Sequence, residues 1–178
     1  MKDILKNTIQ NVYPISDIEW NEFSKHWQPF SAKRKEIITY PHTQEKYLYF
    51  VIEGIQRVYY LDEQDREATL VFTYSPSFGG VLDSLMLEKP SKYFYETLTP
   101  SQFLRISHAH LLTCMQKYPN IEFFVRKGIT EALSGLLERL VELQSFSSEE
   151  KFKKLLQRSP HIIQLVAHKY LANYLGID

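Results

Sequence analysis

The chain has 178 residues, of which 44% are hydrophobic and 24% are charged, a composition typical of a soluble globular protein with a sizeable core. Its 21 Lys and Arg residues balance its 21 Asp and Glu residues, which excludes a global field that would attract the whole chain to nucleic acid or an anionic membrane. The one cysteine, Cys114, excludes an intrachain disulfide framework and a zinc or iron–sulfur site made of four thiolates.

Hydropathy gives the first indication of location. No segment approaches the ~18 consecutive apolar residues that a membrane span needs. The first residues, Met1–Lys6, lack the apolar stretch of a secretion signal. We therefore expect a cytoplasmic protein with no membrane partner.

The amino-terminal 27 residues show helical spacing of their apolar side chains. Ser16 and Asp17 separate two such runs and provide an N-cap for the second. Both runs predict helical structure ahead of the first strands. The apolar positions are Ile4, Leu5, Ile9 and Val12, followed by Ile18, Trp20, Phe23 and Trp27.

Between about residues 35 and 107 the pattern changes to short runs rich in Ile, Val, Tyr, Phe and Thr, bounded by Gly, Pro, Asp and Ser. Such spacing predicts an antiparallel sandwich, roll or barrel. The connections are too short for the crossovers of a parallel sheet. The predicted strands are Glu36–Tyr40, Lys46–Ile52, Ile55–Leu61, Glu67–Tyr74, Lys92–Thr97 and Gln102–Ile106.

A long helix is predicted at residues 120–146, just after Pro119. Its apolar residues form two stripes, which together make an apolar face wider than one partner surface can cover. One interpretation is a core helix inside a monomer, and the other is a helix shared between its own domain and a second copy. The double stripe favours a homodimer. The heptad stripe is Ile129, Leu133, Leu136, Leu140 and Leu143, and the second is Val125, Ala132, Leu137 and Val141.

A further helix is predicted to start at Ser147, with Glu149 and Glu150 in its first turn, and to end at Ser159-Pro160. We expect Phe152, Leu155 and Leu156 on its buried side. Residues 147–178 carry five Lys or Arg against three Asp or Glu, which suits a nucleic-acid-binding module but also fits an ordinary solvated helix face. The basic residues of the helix are Lys151, Lys153, Lys154 and Arg158.

The last eleven residues have the pattern of the first helix and turn of a helix-turn-helix. His168 and Lys169 begin the helix, Ala172 is small enough for two helices to cross closely, and Gly176 provides the positive φ of the turn. Asp178 stands where it would cap a recognition helix. An ordinary helix with a glycine C-cap accounts for the same residues, so both interpretations remain open.

The order of these parts resembles the CRP/FNR family of bacterial regulators over essentially the whole chain. Tyr47–Tyr60 resembles the family's central hairpin, Phe78–Gly80 with Pro90–Tyr93 resembles its phosphate-binding cassette, and His168–Ile177 resembles the helix before DNA recognition. The resemblance implies an α+β fold with three regions. These are an antiparallel, jelly-roll-like β-roll sensor at 1–119, a dimerisation helix at 120–146 and an incomplete winged helix-turn-helix domain at 147–178.

The ligand-binding residues implied by the cassette are Gly79, Gly80, Val81, Ser91, Lys92 and Tyr93. In relatives that bind cyclic nucleotides, a glutamate and an arginine hold the ribose and the phosphate. This sequence has Val81 and Ser91-Lys92 at those places, so the hydrogen-bond acceptor and the forked guanidinium are missing. We expect no tight cAMP binding and no other cofactor, with another small molecule or no ligand in the roll. We also expect Val81 and Lys92 to face a concave pocket.

Two functions follow from this reading. The first is a ligand-responsive transcription regulator that binds DNA as a homodimer and responds to an unknown effector. The alternative is a stand-alone sensor or protein-interaction module without DNA binding. A recognition helix would begin after Asp178, so we expect the intact protein to continue, although loss of DNA binding gives the same ending. A third hypothesis, a cupin-like metalloenzyme, would use His108 and His110, which we expect instead to be surface or capping residues.

Overall fold

The structure is a computed structural model that describes residues 1–177. Its helices are α1 (Lys2–Val12), α2 (Asp17–Lys25), α3 (Leu82–Leu87), α4 (His108–Lys117), α5 (Pro119–Ser145), α6 (Ser148–Arg158), α7 (Ile162–Leu165) and α8 (His168–Leu175). Its strands are β1 (Gln28–Ala32), β2 (Ile37–Thr39), β3 (Tyr47–Glu53), β4 (Ile55–Leu61), β5 (Glu67–Tyr74), β6 (Ser77–Gly79), β7 (Phe94–Thr97) and β8 (Ser101–Ser107).

The strands form two four-stranded sheets that face each other as a roll. Sheet 1 has the order β1–β8–β3–β6, and sheet 2 has the order β2–β7–β4–β5. Neighbouring strands run antiparallel in both sheets. The predicted antiparallel β-roll within an α+β fold is therefore confirmed.

Two strands, β1 and β6, escaped prediction, and both lie at the edges of sheet 1. β1 contains Pro29, which cannot donate to a ladder and which sequence rules treat as a strand breaker except at an edge. β6 has only three residues and includes Gly79, so its composition reads as a turn. Edge strands carry weak sequence signals because only one neighbour constrains them.

The outer face of sheet 1 packs on the helices. Leu48, Phe50, Leu104 and Ile106 join one buried cluster with side chains from α1, α2, α4 and the start of α5. The alternate residues of the same strands face sheet 2. Both faces of sheet 1 are thus buried, which explains why β3 is an almost continuous apolar run.

Helix α5 is one continuous helix, as the sequence predicts, and its two halves differ in environment. Ile121, Phe124 and Val125 in the first half are buried in the helix-side cluster of the roll. In the second half the leucines are about half exposed, for example 50% for Leu136 and 49% for Leu140. The second half therefore carries an apolar surface that residues 1–177 of one copy do not cover.

The last three helices pack together and against the roll. Ser147 caps α6 in a capping box with Glu150, as predicted. Leu155 is buried, whereas Phe152 is 40% exposed, so the expectation for Phe152 is wrong. Lys151 is buried instead, because it lies four residues before Leu155 and therefore on the same side of the helix. Among residues 1–177, no helix combines the length and the apolar character needed to cross a membrane.

Candidate functional site

The predicted cassette lies where β6 turns into the short helix α3. Gly80 has φ of +109°, a conformation that side-chain-bearing residues rarely adopt. A side chain on Gly79 would collide with the Tyr95 hydroxyl. Both glycines are thus required by local packing, and their presence alone does not identify a ligand.

The cassette side chains do not come together around one pocket. Val81 is 2% exposed and packs in the interior of the roll with Tyr49, Tyr95 and Phe103, whereas Lys92 is exposed. The expectation that Val81 and Lys92 face a common concave pocket is therefore wrong. Lys92 lies in the segment before β7, where solvation of its ammonium group is favourable.

Ser91, at the position of the absent arginine, is held by its own loop. It is buried, and its hydroxyl bonds both the amide and the carbonyl of Tyr93, at 2.9 and 2.7 Å. Its backbone amide donates to the Thr43 carbonyl at 2.8 Å, and the His42 amide donates back to the Ser91 carbonyl at 2.8 Å. These bonds join the loop before β3 to the loop before β7, and they use the polar groups that a phosphate would need.

A buried carboxylate that sequence analysis missed occupies the start of α3. Glu45 is 2% exposed, and its Oε2 accepts from the Val81 amide at 3.3 Å and from the Thr39 hydroxyl at 2.5 Å. Its Oε1 accepts from the amides of Lys46 and Tyr47. Burial raises the pKa of this carboxyl, and the hydrogen bonds from Thr39 and the backbone oppose that rise. An internal carboxylate therefore stands at the helix end beside the cassette.

Aromatic side chains fill the roll between Val81 and β7. Tyr95 is fully buried, and its hydroxyl shares a hydrogen bond with Thr73 at 3.1 Å. Its ring lies 5.7 Å from that of Tyr49, which in turn lies 5.6 Å from that of Phe103. Burial raises the pKa of Tyr95, so its phenol stays neutral. This packing leaves a nucleotide no volume between the sheets at this level.

A cavity of about 230 Å³ remains between β2 and the strands β1, β8 and β3. Arg105 of β8 lines it, between the rings of Phe30 and Tyr47. Sequence analysis did not single out Arg105, since a lone arginine in a strand normally signals a solvated edge. Only the pairing of β1, β8 and β3 brings the two rings to either side of it.

The predicted dimer residues divide into two groups. Ile129 is half-buried against the helix-side cluster of its own roll, so its neighbours are already present in one copy. The others are exposed by between 39% and 54%. Those exposed positions are Leu133, Leu136, Leu140 and Leu143, and Leu137 and Val141 extend the same exposed stripe.

The predicted DNA-binding residues lie on α8, which has the expected shape. Gly176 ends the helix with φ of +60°, as a glycine C-cap or a helix-turn-helix turn would. His168 and Lys169 are exposed, and Ala172 is half-buried. Asp178, proposed as the cap of the next helix, lies outside the described residues.

Helix α8 is docked on sheet 2 through contacts that the sequence did not indicate. The side chain of Asn173 accepts from the Thr69 amide at 2.6 Å and donates to the Glu67 carbonyl at 2.5 Å. The Tyr170 hydroxyl accepts from Lys35 Nζ at 2.5 Å, and the Tyr170 ring lies 4.2 Å from the guanidinium carbon of Arg57. Asn173 thus pairs with the free edge of β5, as another strand would.

Arg57 lies beneath this contact and is itself fully paired. Its Nε donates to Glu96 at 2.8 Å, and its Nη1 donates to Glu67 at 2.6 Å. The hydrogen bond from Arg57 lowers the pKa of Glu67. The ring of Tyr59 covers the guanidinium at 3.9 Å. The guanidinium of Arg57 therefore contacts the rings of Tyr59 and Tyr170 and the carboxylates of Glu67 and Glu96.

The two histidines of the metal hypothesis begin α4. Ser107 caps that helix through the His110 amide, and the exposed ring of His110 stacks on His26 with centroids 4.4 Å apart. His108 is mostly buried next to Glu88. Within residues 1–177, no group of three His, Cys, Asp or Glu side chains is arranged to hold a metal ion.

Comparison with known proteins places this geometry in context. The model of the family described as the cyclic nucleotide-binding domain matches residues 29–118, which span β1 to the end of α4. No curated protein sequence matches the chain significantly.

Solved structures of regulators share the fold. FixK2 from Bradyrhizobium japonicum superposes with a TM-score of 0.75 at 15% identity, over 85% of this chain and 78% of that one. A protein from Eubacterium rectale, assigned to the Crp/Fnr family of transcriptional regulators, gives 0.73 at 17% identity, over 94% and 82%. The c-di-GMP-responsive global regulator CLP from Xanthomonas campestris gives 0.70 at 18% identity, over 92% and 86%. The predicted likeness to CRP/FNR regulators is confirmed in fold.

Proposed function

Because the chain belongs to the cyclic nucleotide-binding domain family, we propose that it is a ligand-responsive transcription regulator of the CRP/FNR type that binds DNA as a homodimer. The observation that carries the proposal is the exposed leucine stripe on the second half of α5. It leads from the roll to helices that resemble the first half of a helix-turn-helix. A sensor, a dimer seam and a candidate DNA-binding module thus follow each other along one chain.

The exposed leucine stripe on α5 favours a second copy of the chain as the partner that covers it. Large apolar side chains in a row are seldom left in water on a monomer, and an extended patch of them marks an interaction site. Steps of three and four residues match the seam of two helices packed as a coiled coil. A symmetric pair would place the same leucines opposite each other and bury both stripes at once.

The mechanism of such a regulator is a shift between two arrangements of the dimer. A ligand that binds one arrangement more tightly raises its population by the difference in binding free energy. The roll would bind the ligand, α5 would hold the two copies together, and α6–α8 would change position. Docking of α8 on sheet 2 supplies one such arrangement.

The test of the dimer is Leu136→Glu. A glutamate in the middle of the stripe would place two buried carboxylates opposite each other, which should convert a dimer to a monomer in light scattering. Leu87→Glu is the matched control, because Leu87 is also exposed, at 60%, but lies on α3. An unchanged dimer in the Leu136 variant would show that the interface lies elsewhere.

The alternative, a sensor or protein-interaction module without DNA binding, remains compatible with the same roll and the same stripe. Fluorescence anisotropy of the intact protein on a library of duplexes separates the two. Affinity for one duplex class that falls steeply with salt supports the regulator. Weak binding that is equal for all sequences supports the interaction module.

A further inference from the structure

The cavity between β2 and sheet 1 borders the predicted cassette, because its lining residues Glu45 and Thr43 accept hydrogen bonds from the amides of Val81 and Ser91. Its walls are the inner faces of β1, β8 and β3 on one side and β2 with the following loop on the other. Among the described residues that line it, none is a cassette residue. Phe30, Tyr47, Ile37 and Ile38 give it aromatic and aliphatic walls.

Arg105 provides the cavity with a cation whose flat faces are already covered. Its guanidinium carbon lies 4.2 Å from the ring of Phe30 and 4.2 Å from the ring of Tyr47. Stacking on both faces leaves only the N–H edge for polar contacts, and that edge is the part of arginine that matches the two oxygens of a carboxylate. The rings therefore orient the fork and restrict its motion.

This cation has no anion of its own. Within residues 1–177, Arg105 forms no ion pair, and its buried Nε–H has no hydrogen-bond partner. Arg57 and Arg139, the other buried arginines, are both paired with carboxylates. The two rings and the neighbouring Tyr49 hydroxyl offset part of the hydration that Arg105 loses, but they leave its charge without an anion, which points to an anion from outside the chain.

The size and the walls of the cavity indicate what kind of anion fits. Since a water molecule occupies ~30 Å³ of liquid, the cavity of about 230 Å³ has the volume of roughly seven or eight waters, which suits a small acid. Glu36 and Glu45 also line the cavity, and their charge disfavours a dianion such as phosphate. We propose that this cavity binds a small organic acid with an apolar or aromatic body, whose carboxylate is bound by Arg105.

Glu45 connects this site to the rest of the molecule. It lines the cavity and also accepts from the Val81 amide at the start of α3. On α3, Leu85 packs in the same buried cluster as Phe124 and Val125 of α5. An acid in the cavity would therefore contact a residue that is linked through α3 to the dimer helix. The role of the cavity as an effector site rests on the proposed function. Its ability to bind an acid does not.

Benzoate is the probe, and isothermal titration calorimetry on the intact protein is the measurement. We expect millimolar or tighter binding of benzoate and none of benzamide, which has the same shape without the charge. Arg105→Gln should weaken binding by about tenfold or more, since it removes a charge-assisted pair. Arg105→Lys should bind with intermediate affinity, because a point charge replaces the fork. Lys153→Gln is the control and should bind as the wild type does, because Lys153 is exposed on α6 and does not line the cavity.

Three results of the binding experiments would overturn the proposal, besides the absence of any acid binding. The first is equal binding of benzoate and benzamide, and the second is undiminished affinity in both Arg105 variants. The third is binding of inorganic phosphate, with none of benzoate or phenylacetate. Fluorescence anisotropy of the wild-type protein on DNA, with and without benzoate, tests whether the acid-binding site is also an effector site. Benzoate binding through Arg105 without any effect on DNA affinity supports the site and overturns its role as an effector site. Dimers that bind DNA but no acid support the regulator and overturn the acid site.

Discussion

Asn173→Ala tests whether the last helix is held on the roll by its side chain. Asn173 makes two hydrogen bonds to the main chain of β5, one to the Thr69 amide and one to the Glu67 carbonyl. Thr69 is buried, so its amide would be left without a partner at a cost of about 1–3 kcal/mol, whereas the exposed Glu67 carbonyl would cost about 0.5–1.5 kcal/mol. The variant should weaken docking of α8 by both costs together, about 1.5–4.5 kcal/mol.

Hydrogen exchange of backbone amides measures this loss directly. Because each 1.4 kcal/mol is tenfold, protection at Thr69 and along α8 should fall by roughly tenfold or more. Amides of β3, such as that of Phe50, should keep their protection, since β3 lies in sheet 1. Asn7→Ala is the control, because Asn7 is exposed on α1 and should change stability by less than about 0.5 kcal/mol. Unchanged protection of α8, or an equal loss throughout the roll, would refute the reasoning.

The remaining predictions concern the roll. Glu45→Gln should lower the free energy of unfolding by about 1–3 kcal/mol in urea denaturation, because an amide has one acceptor oxygen where the carboxylate has two. Burial raises the pKa of Glu45 above its ordinary 4.5, so the folded state binds this proton more tightly than the unfolded state does. This group's contribution to wild-type stability should therefore fall as pH rises from 4.5 to the raised pKa, and the glutamine variant should lack that slope. Calorimetry with cAMP should show no micromolar affinity, since Val81, Ser91 and the packed Tyr95 replace the groups and the space that the nucleotide needs; a micromolar Kd would contradict this.

Periodic features of this protein were predictable from sequence because they repeat. The leucine spacing of α5 and the apolar runs of β3 to β5 each involve several residues, so one unusual position does not hide the pattern. The capping box of Ser147 and Glu150 is a local signal that depends on a spacing of three residues. The identity of the family required a resemblance, since such patterns specify a roll and a helix but no function.

The solitary polar residues were not predictable, because their partners lie far away in the chain. Glu45 reaches the Val81 amide 36 residues away, and Asn173 reaches the Thr69 amide 104 residues away. In sequence each is a single polar residue in a loop or on a helix face. Phe152 was misplaced for a related reason, since periodicity gives the apolar side of a helix but not which part of that side meets the roll.

The pairing of Arg57 has a consequence for how firmly the last helix is held. If Tyr170 lifted away, Arg57 would keep both of its carboxylates, Glu96 and Glu67, so no charge would be stranded. The released Tyr170 hydroxyl, the side-chain amide of Asn173 and the free edge of β5 would form hydrogen bonds with water instead. The cost of detaching α8 would therefore come mainly from exposing Leu171 and Leu175, which pack with Ile55 of the roll in one buried cluster, and not from separating charges.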